Sequence, residues 1–226
     1  MIRGVLFDMD GVLLDTERLG RQIYLRVCAE VGYPQVDEAL YSRLIGRPYE
    51  DDRLIMMDVL GPDFPYDEVS ARHIERLTAL VLSGRDVTKP GLGECLRALK
   101  AKGMRLALAT STQRPTVEQY LRHIAPMRDV FDAVVCGVEA GRGKPAPDIY
   151  LEAARRLELP PEDCVGVEDS LAGLQSLTAA GCVRVMIPDL LPRDKRFAGL
   201  VDYELPDLTR LPALIDRLRL GARDRG

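Results

Sequence analysis

The chain predicts an α/β fold: a doubly wound, mainly parallel sheet with a small helical domain inserted after the first strand. Three observations carry that prediction. From about residue 90 onward, apolar runs of strand length alternate with amphipathic helical patterns, as in βαβ units. Asp8, Thr110 and Asp169 each follow directly on such a run, and ligands of open parallel sheets bind beyond the carboxyl ends of the strands. Residues 15 to about 87 break the alternation and read as helices alone.

The first run, Val5-Leu6-Phe7, is a buried strand, and Asp8-Met9-Asp10-Gly11 follows it. In an extended chain residues i and i+2 point the same way, so Asp8 and Asp10 can face one site while Gly11 turns the backbone out of the sheet. A nucleophile and a proton-transfer group need that arrangement, although acid-x-acid triplets are frequent in a chain with 35 acidic residues. Helices are predicted over 15–31, 36–45, 50–60 and 66–82, with turns at Gly32-Tyr33-Pro34 and Gly61-Pro62. The stretch is too periodic for a loop and too long for one crossover helix. It is expected to stand over the strand ends on two hinge strands, 11–15 and 84–90. The chain then divides into a core of residues 1–14 and 88–226 and a helical cap of residues 15–87.

Beyond the insert, Leu92, Cys95, Leu96 and Leu99 follow i, i+3, i+4, i+7 in a helix opened by Gly91 and closed by Gly103. A strand over 104–109, a polar helix over 113–123 and a strand over 133–136 come next. Pro145 and Pro147 open a helix with Ile149, Ala153 and Leu157 on one face. A strand over 164–167, a helix over 171–180 stopped by Gly181, and a strand over 183–187 follow. The last elements are a short strand near Val201 and a helix carrying Leu211, Leu214, Ile215 and Leu218.

Composition narrows the function classes. A chain of 226 residues with 46% hydrophobic and 29% charged residues suits a soluble globular protein with one good core, or with a core domain and a smaller one. A net charge of −4 argues against general affinity for nucleic acid or anionic membrane. The five cysteines are odd in number and form no Cys-x-x-Cys pair, and at least three sit within apolar runs and read as small core residues of a reducing compartment. No apolar run approaches membrane length and no basic-then-apolar leader opens the chain, so a cytoplasmic location is expected. Only five of the 31 basic residues are lysines, and none precedes Lys89.

Four motifs stand in order at the strand ends: residues 8–17 (DMDGVLLDTE), Leu108-Ala109-Thr110-Ser111-Thr112, Gly143-Lys144-Pro145-Ala146-Pro147-Asp148, and Gly166-Val167-Glu168-Asp169-Ser170. On these the chain resembles the haloacid dehalogenase superfamily, in the branch of β-phosphoglucomutase and small sugar-phosphate phosphatases. The resemblance spans nearly the whole length and implies a Rossmann-like core. It implies that Asp8 is the nucleophile, forming an aspartyl-phosphate, and that Asp10 protonates the leaving oxygen and later deprotonates water. An ordinary aspartate titrates near 3.9, so that acid role needs a raised pKa or a shared proton. Thr110 and the Ser111 backbone N–H resemble the family's phosphoryl-oxygen binders, and Lys144 its second cation. A carboxylate attacking a phosphate dianion meets like-charge repulsion of roughly 4 kcal/mol at 4 Å and an effective dielectric near 20. Mg²⁺ is therefore expected, with Asp8 and Asp169 able to supply two carboxylates; the resemblance adds the Asp10 backbone carbonyl, with Glu168 behind them or ligating through water. Glu168-Asp169-Ser170 reads equally as a helix N-cap, and the two roles can coexist.

The second acid of the first motif sets the chain apart from the dehalogenases, and the lysine-free insert excludes Schiff-base chemistry there. The mutase-like branch carries a cap arginine that grips a second phosphate. Tyr49 falls at that position, with Arg47 two residues away, and Gly20 replaces a cap-proximal histidine of the family. Tyrosine cannot supply the missing charge, so phosphatase is favoured over phosphomutase, and a non-catalytic phosphate-binding protein over neither. Glu17, Arg47 and Tyr49 are the candidate leaving-group contacts. His73 and His123 sit in no motif and read as structural or exposed. A small phosphorylated metabolite is the expected partner, bound by a monomer or a small homo-oligomer.

Overall fold

Strand hydrophobicity that continues through every position, rather than alternating, marks a sheet covered on both faces. The computed structural model describes residues 1–45, 49–190 and 194–221 and contains such a sheet. Its strands are β1 (Gly4–Phe7), β2 (Arg105–Thr110), β3 (Ala133–Cys136), β4 (Cys164–Glu168), β5 (Val183–Met186) and β6 (Tyr203–Glu204). They lie in the order β3-β2-β1-β4-β5-β6, and all five pairings are parallel.

The helices are α1 (Thr16–Glu30), α2 (Glu38–Ser42), α3 (Tyr49–Leu60), α4 (Tyr66–Leu82), α5 (Leu92–Ala101), α6 (Arg114–His123), α7 (Asp148–Arg156), α8 (Leu171–Ala180) and α9 (Leu211–Gly221). Val5 and Phe7 of β1 join Leu106 and Leu108 of β2 on one face, packed by α5, α6 and α9. Leu6, Ala107 and Ala109 point the other way, against α7 and α8. Each fully buried Leu, Val or Phe contributes about 1.5–3 kcal/mol to holding the helices on the sheet. All five cysteines are buried and unpaired, as a core role requires.

Register fixes where polar chain emerges. Phe7 is level with Leu108 of β2 and with Val167 of β4. The segments carrying Asp8, Thr110 and Asp169 therefore leave three adjacent central strands at one height. Between β1 and α5 the chain forms the four helices α1–α4, whose own core includes Tyr24, Val27, Leu40, Tyr41, Met56 and Phe64. The two chain passes that reach these helices pair antiparallel: the Asp15 N–H donates to the Val87 carbonyl at 2.8 Å, and Lys89 N–H to the Leu13 carbonyl at 2.9 Å.

Two expected elements differ. The helix expected over 36–45 is limited to α2, because Asp37 caps its start by accepting from the Leu40 N–H, and the chain leaves it in tight turns from Arg43 to Leu40 and Leu44 to Tyr41. The strand expected near Val201 forms at Tyr203–Glu204, anchored by the Asp202 N–H on the Arg184 carbonyl and by Arg184 on the Asp202 carboxylate. Among the described residues no helix is long and apolar enough to cross a membrane.

Candidate active site

Lys144, on the segment between β3 and α7, is 6% exposed and stands beneath the ends of β1 and β4. Its Nζ donates to Asp8 Oδ1 at 2.6 Å and to Glu168 Oε1 at 2.7 Å, and lies 3.3 Å from the Ala109 carbonyl oxygen. Burial works against the ammonium, but the two carboxylates outweigh it and hold its pKa above the ordinary lysine value. Burial likewise opposes the charge of Glu168, yet Lys144 and a set of hydrogen bonds keep that carboxyl below its usual range.

Glu168 has no capacity left for another partner. Its Oε1 also accepts from the Tyr150 hydroxyl at 2.5 Å, and its Oε2 accepts from the backbone N–H groups of Asp169 and Ser170 and from Ser170 Oγ. Five donors fill the roughly four lone-pair sites of a carboxylate. Ser170 also caps α8, accepting from the Gly173 N–H at 3.0 Å, so the cap and the acidic cluster do share these residues. The close packing explains Gly173: a Cβ there would lie 1.8 Å from Glu168 Oε1.

Asp8 and Asp169 sit side by side, 7% and 6% exposed. Gly11, at φ +79°, lets the chain pass over them, and a Cβ there would lie 2.3 Å from Asp169 Oδ2. Burial raises Asp8 to about 7 against the pull of Lys144, and burial together with Glu168 and Asp8 lifts Asp169 well above the carboxylate range. Carboxylate oxygens of Asp8, Glu168 and Asp169 lie within 4.8 Å of one another. Three buried acids against one ammonium, all offering hard oxygen, form a donor set that fits Mg²⁺. Because Glu168 is saturated, Asp8 and Asp169 are the side chains with oxygen to spare for it.

Asp10 lies alongside and faces the same cleft. Its Oδ1 accepts from Thr16 Oγ1 at 2.6 Å, and its Oδ2 from Thr112 Oγ1 at 2.7 Å, with Thr110 Oγ1 at 3.4 Å. Thr110 is fully buried and also accepts from the Thr112 N–H, whereas Ser111 is exposed and borders the cleft. The expected residues Asp8, Asp10, Ser111, Lys144 and Asp169 thus line one cleft of 320 Å³, with Thr110 and Glu168 packed behind them.

Helices α1–α4 supply the rest of the cleft. Glu17 lines it half-buried, its pKa raised to about 8 by burial and by Asp10 and Asp189. Tyr49 reaches it too, but its hydroxyl donates to Asp67 Oδ1 at 2.8 Å and its ring packs edge-on to Tyr66. Arg47 lies outside the described residues. Sequence reasoning missed Tyr150, Thr112, Thr16, Tyr24, Asp52 and His73. His73 is neither remote nor fully exposed: it borders the cleft and packs on Gly20, where a Cβ would come 3.1 Å from its Nε2. Burial drops its pKa to about 4, against a hydrogen bond to the Gly20 backbone. A glycine where the family has a histidine was the available signal that another ring fills that space.

A family model described as haloacid dehalogenase-like hydrolase matches residues 2–181. The protein CbbY of Cereibacter sphaeroides is 34% identical over 206 residues, spanning 88% of this chain and 90% of that protein. The phosphorylated carbohydrates phosphatase of Thermotoga maritima is 36% identical over 185 residues, spanning 81% and 84%. A crystal structure of CbbY from Rhodobacter sphaeroides in complex with xylulose-(1,5)bisphosphate superposes with a TM-score of 0.79 at 31% identity, covering 93% of this chain and 96% of that one.

Proposed function

This chain belongs to the haloacid dehalogenase-like hydrolases, and from that membership we propose that it is a Mg²⁺-dependent phosphatase hydrolysing a small phosphate monoester, a sugar phosphate, through an aspartyl-phosphate on Asp8. The observation that carries the reading is the Lys144 ammonium bonded at once to Asp8 and Glu168, at the sheet edge where Asp10 and Asp169 also converge.

Asp8 attacks phosphorus through one carboxylate oxygen, and the ester P–O bond breaks. Asp10 gives its proton to the departing alkoxide oxygen, then takes one from the water that displaces Asp8 and releases inorganic phosphate. Thr16 and Thr112 fix the orientation of the Asp10 carboxyl. Lys144 offsets charge on the transferring group and on Asp8, and Glu168, pinned by Tyr150 and Ser170, holds Lys144 in place. Mg²⁺, on Asp8, Asp169 and the Asp10 carbonyl, would neutralise the repulsion between nucleophile and phosphate dianion when bound. Residues 15–87 act as a cap over a core of 1–14 and 88–226, exclude water and contact the leaving group through Glu17. Tyr49 brings no positive charge to the cleft, which supports hydrolysis over phosphomutase transfer.

The test is phosphate release from a panel of sugar phosphates, with and without Mg²⁺. Turnover that stops with chelator and resumes with Mg²⁺ is expected. Full turnover by an Asp8→Asn enzyme would refute the reading.

A further inference from the structure

We propose that the leaving group of this chain's substrate carries a planar heterocycle on its sugar, as a nucleoside monophosphate does, and that the ring lodges between α4 and α6. The inference rests on the phosphatase reading above and deepens it to a class of leaving group.

A second hollow, of 380 Å³, adjoins the cleft. It lies between Ile74, Leu77 and Thr78 of α4 and Thr116 and Tyr120 of α6. Asp10, Tyr49, His73, Ile74 and Thr112 line both spaces, so the two are continuous. The reacting groups divide between them unequally. Asp10, the acid assigned above to the leaving oxygen, borders both, whereas Asp8, Lys144 and Asp169 border the first alone. The second hollow therefore opens on the leaving-group side of the reacting phosphate, where whatever the ester carries beyond its oxygen must go.

The lining suits a flat ring. Tyr41, Tyr49, Tyr120 and His73 bring four aromatic rings to it, and Ile74 and Leu77 add aliphatic surface. Tyr120 is 2% exposed, and His73 packs edge to face on Tyr24 at 5.4 Å, so both rings are held in place before any ligand arrives. Tyr49 and Ile74 are 44% and 50% exposed, and both stand where the two spaces join. Apolar surface left open at a site gains from being covered, and a rigid ring covers it at little cost in conformational freedom. Gln113, Thr78 and Thr116 add an amide and two hydroxyls to the same lining. These are the groups that pair with the N–H and C=O edges of a heterocycle. A bare sugar phosphate would leave that aromatic and aliphatic surface wet.

The experiment compares kcat/KM in Mg²⁺ for UMP, CMP, AMP and GMP with that for ribose 5-phosphate, with p-nitrophenyl phosphate as a reference. At least one nucleotide is expected to exceed ribose 5-phosphate by about tenfold or more, the gain expected of one base stacked on an aromatic side chain. Thr116→Phe, which fills the hollow from α6, and separately Ile74→Asp, at an exposed position on α4, are expected to lower that ratio about tenfold. If no nucleotide exceeds ribose 5-phosphate while the reference ester is hydrolysed, this inference falls and the phosphatase stands. A nucleotide preference that neither variant moves, in proteins whose circular dichroism is unchanged, overturns it too. Failure to hydrolyse any ester, the reference included, removes the phosphatase reading and the inference with it.

Discussion

Glu168, at the sheet edge, accepts five hydrogen bonds, whereas on the helical wall of the same cleft Tyr24 Oη and His73 Nε2 accept and donate none. Glu168 has completed its polar contacts within the protein and holds the Lys144 ammonium in one place. The wall has contacts still to make, and a ligand is what can make them. On the proposed reading, reaction type is set by the floor around Lys144 and choice of substrate by the wall.

The strongest way to break that division is at the floor. Asp8→Asn is expected to cut phosphate release by at least about a thousandfold, or ~4 kcal/mol of transition-state stabilisation, in a colorimetric assay. Retained activity would mean that the floor does not carry the reaction. Lys144→Met strands the buried carboxylates of Asp8 and Glu168 without their cation. Unfolding in urea should show a loss of about 3–5 kcal/mol, together with loss of turnover. Tyr150→Phe removes one of the five donors and should cost about 1.5–3 kcal/mol, as expected for a hydrogen bond to a charged group. Its effect on KM should be small if substrate selection belongs to the wall.

The weakest effect concerns the wall itself. His73 titrates near 4 in the folded chain against an ordinary 6.5. As pH falls, the unfolded chain therefore takes up the proton first. The stability owed to the neutral ring is whole above about pH 6.5 and is lost progressively toward pH 4. Urea midpoints measured at pH 7 and pH 5 should differ less in His73→Gln than in the parent, and an identical difference would show that the ring is not held neutral by burial.

The floor was legible in the sequence because its parts are local. Asp8 and Asp10 are two residues apart at the end of an apolar run, and Lys144 stands between a glycine and a proline in a chain poor in lysine. Strands β1 to β5 were legible for the same reason, since each is a short, mainly apolar run bounded by turn residues, whereas the exposed pair Tyr203–Glu204 is held by the Arg184–Asp202 contacts. Tyr150 was not, because a tyrosine on the buried face of α7 reads as packing until Glu168 is brought within reach of its hydroxyl. The pairing of Tyr24 with His73 joins α1 to α4 across the insert and has no periodic signature. The end of α2 escaped because Asp37 and the turns after Ser42 compete with a pattern that is apolar enough to continue.

Thr16 is the first residue of α1, and its hydroxyl is bonded to Asp10 Oδ1. Any lifting of that helix from the sheet must pull this hydrogen away from the acid. If residues 15–87 open and Asp10 handles the proton, as proposed, entry to the cleft and orientation of that acid are geared together, and water arriving at an open entrance would find the carboxyl turned away.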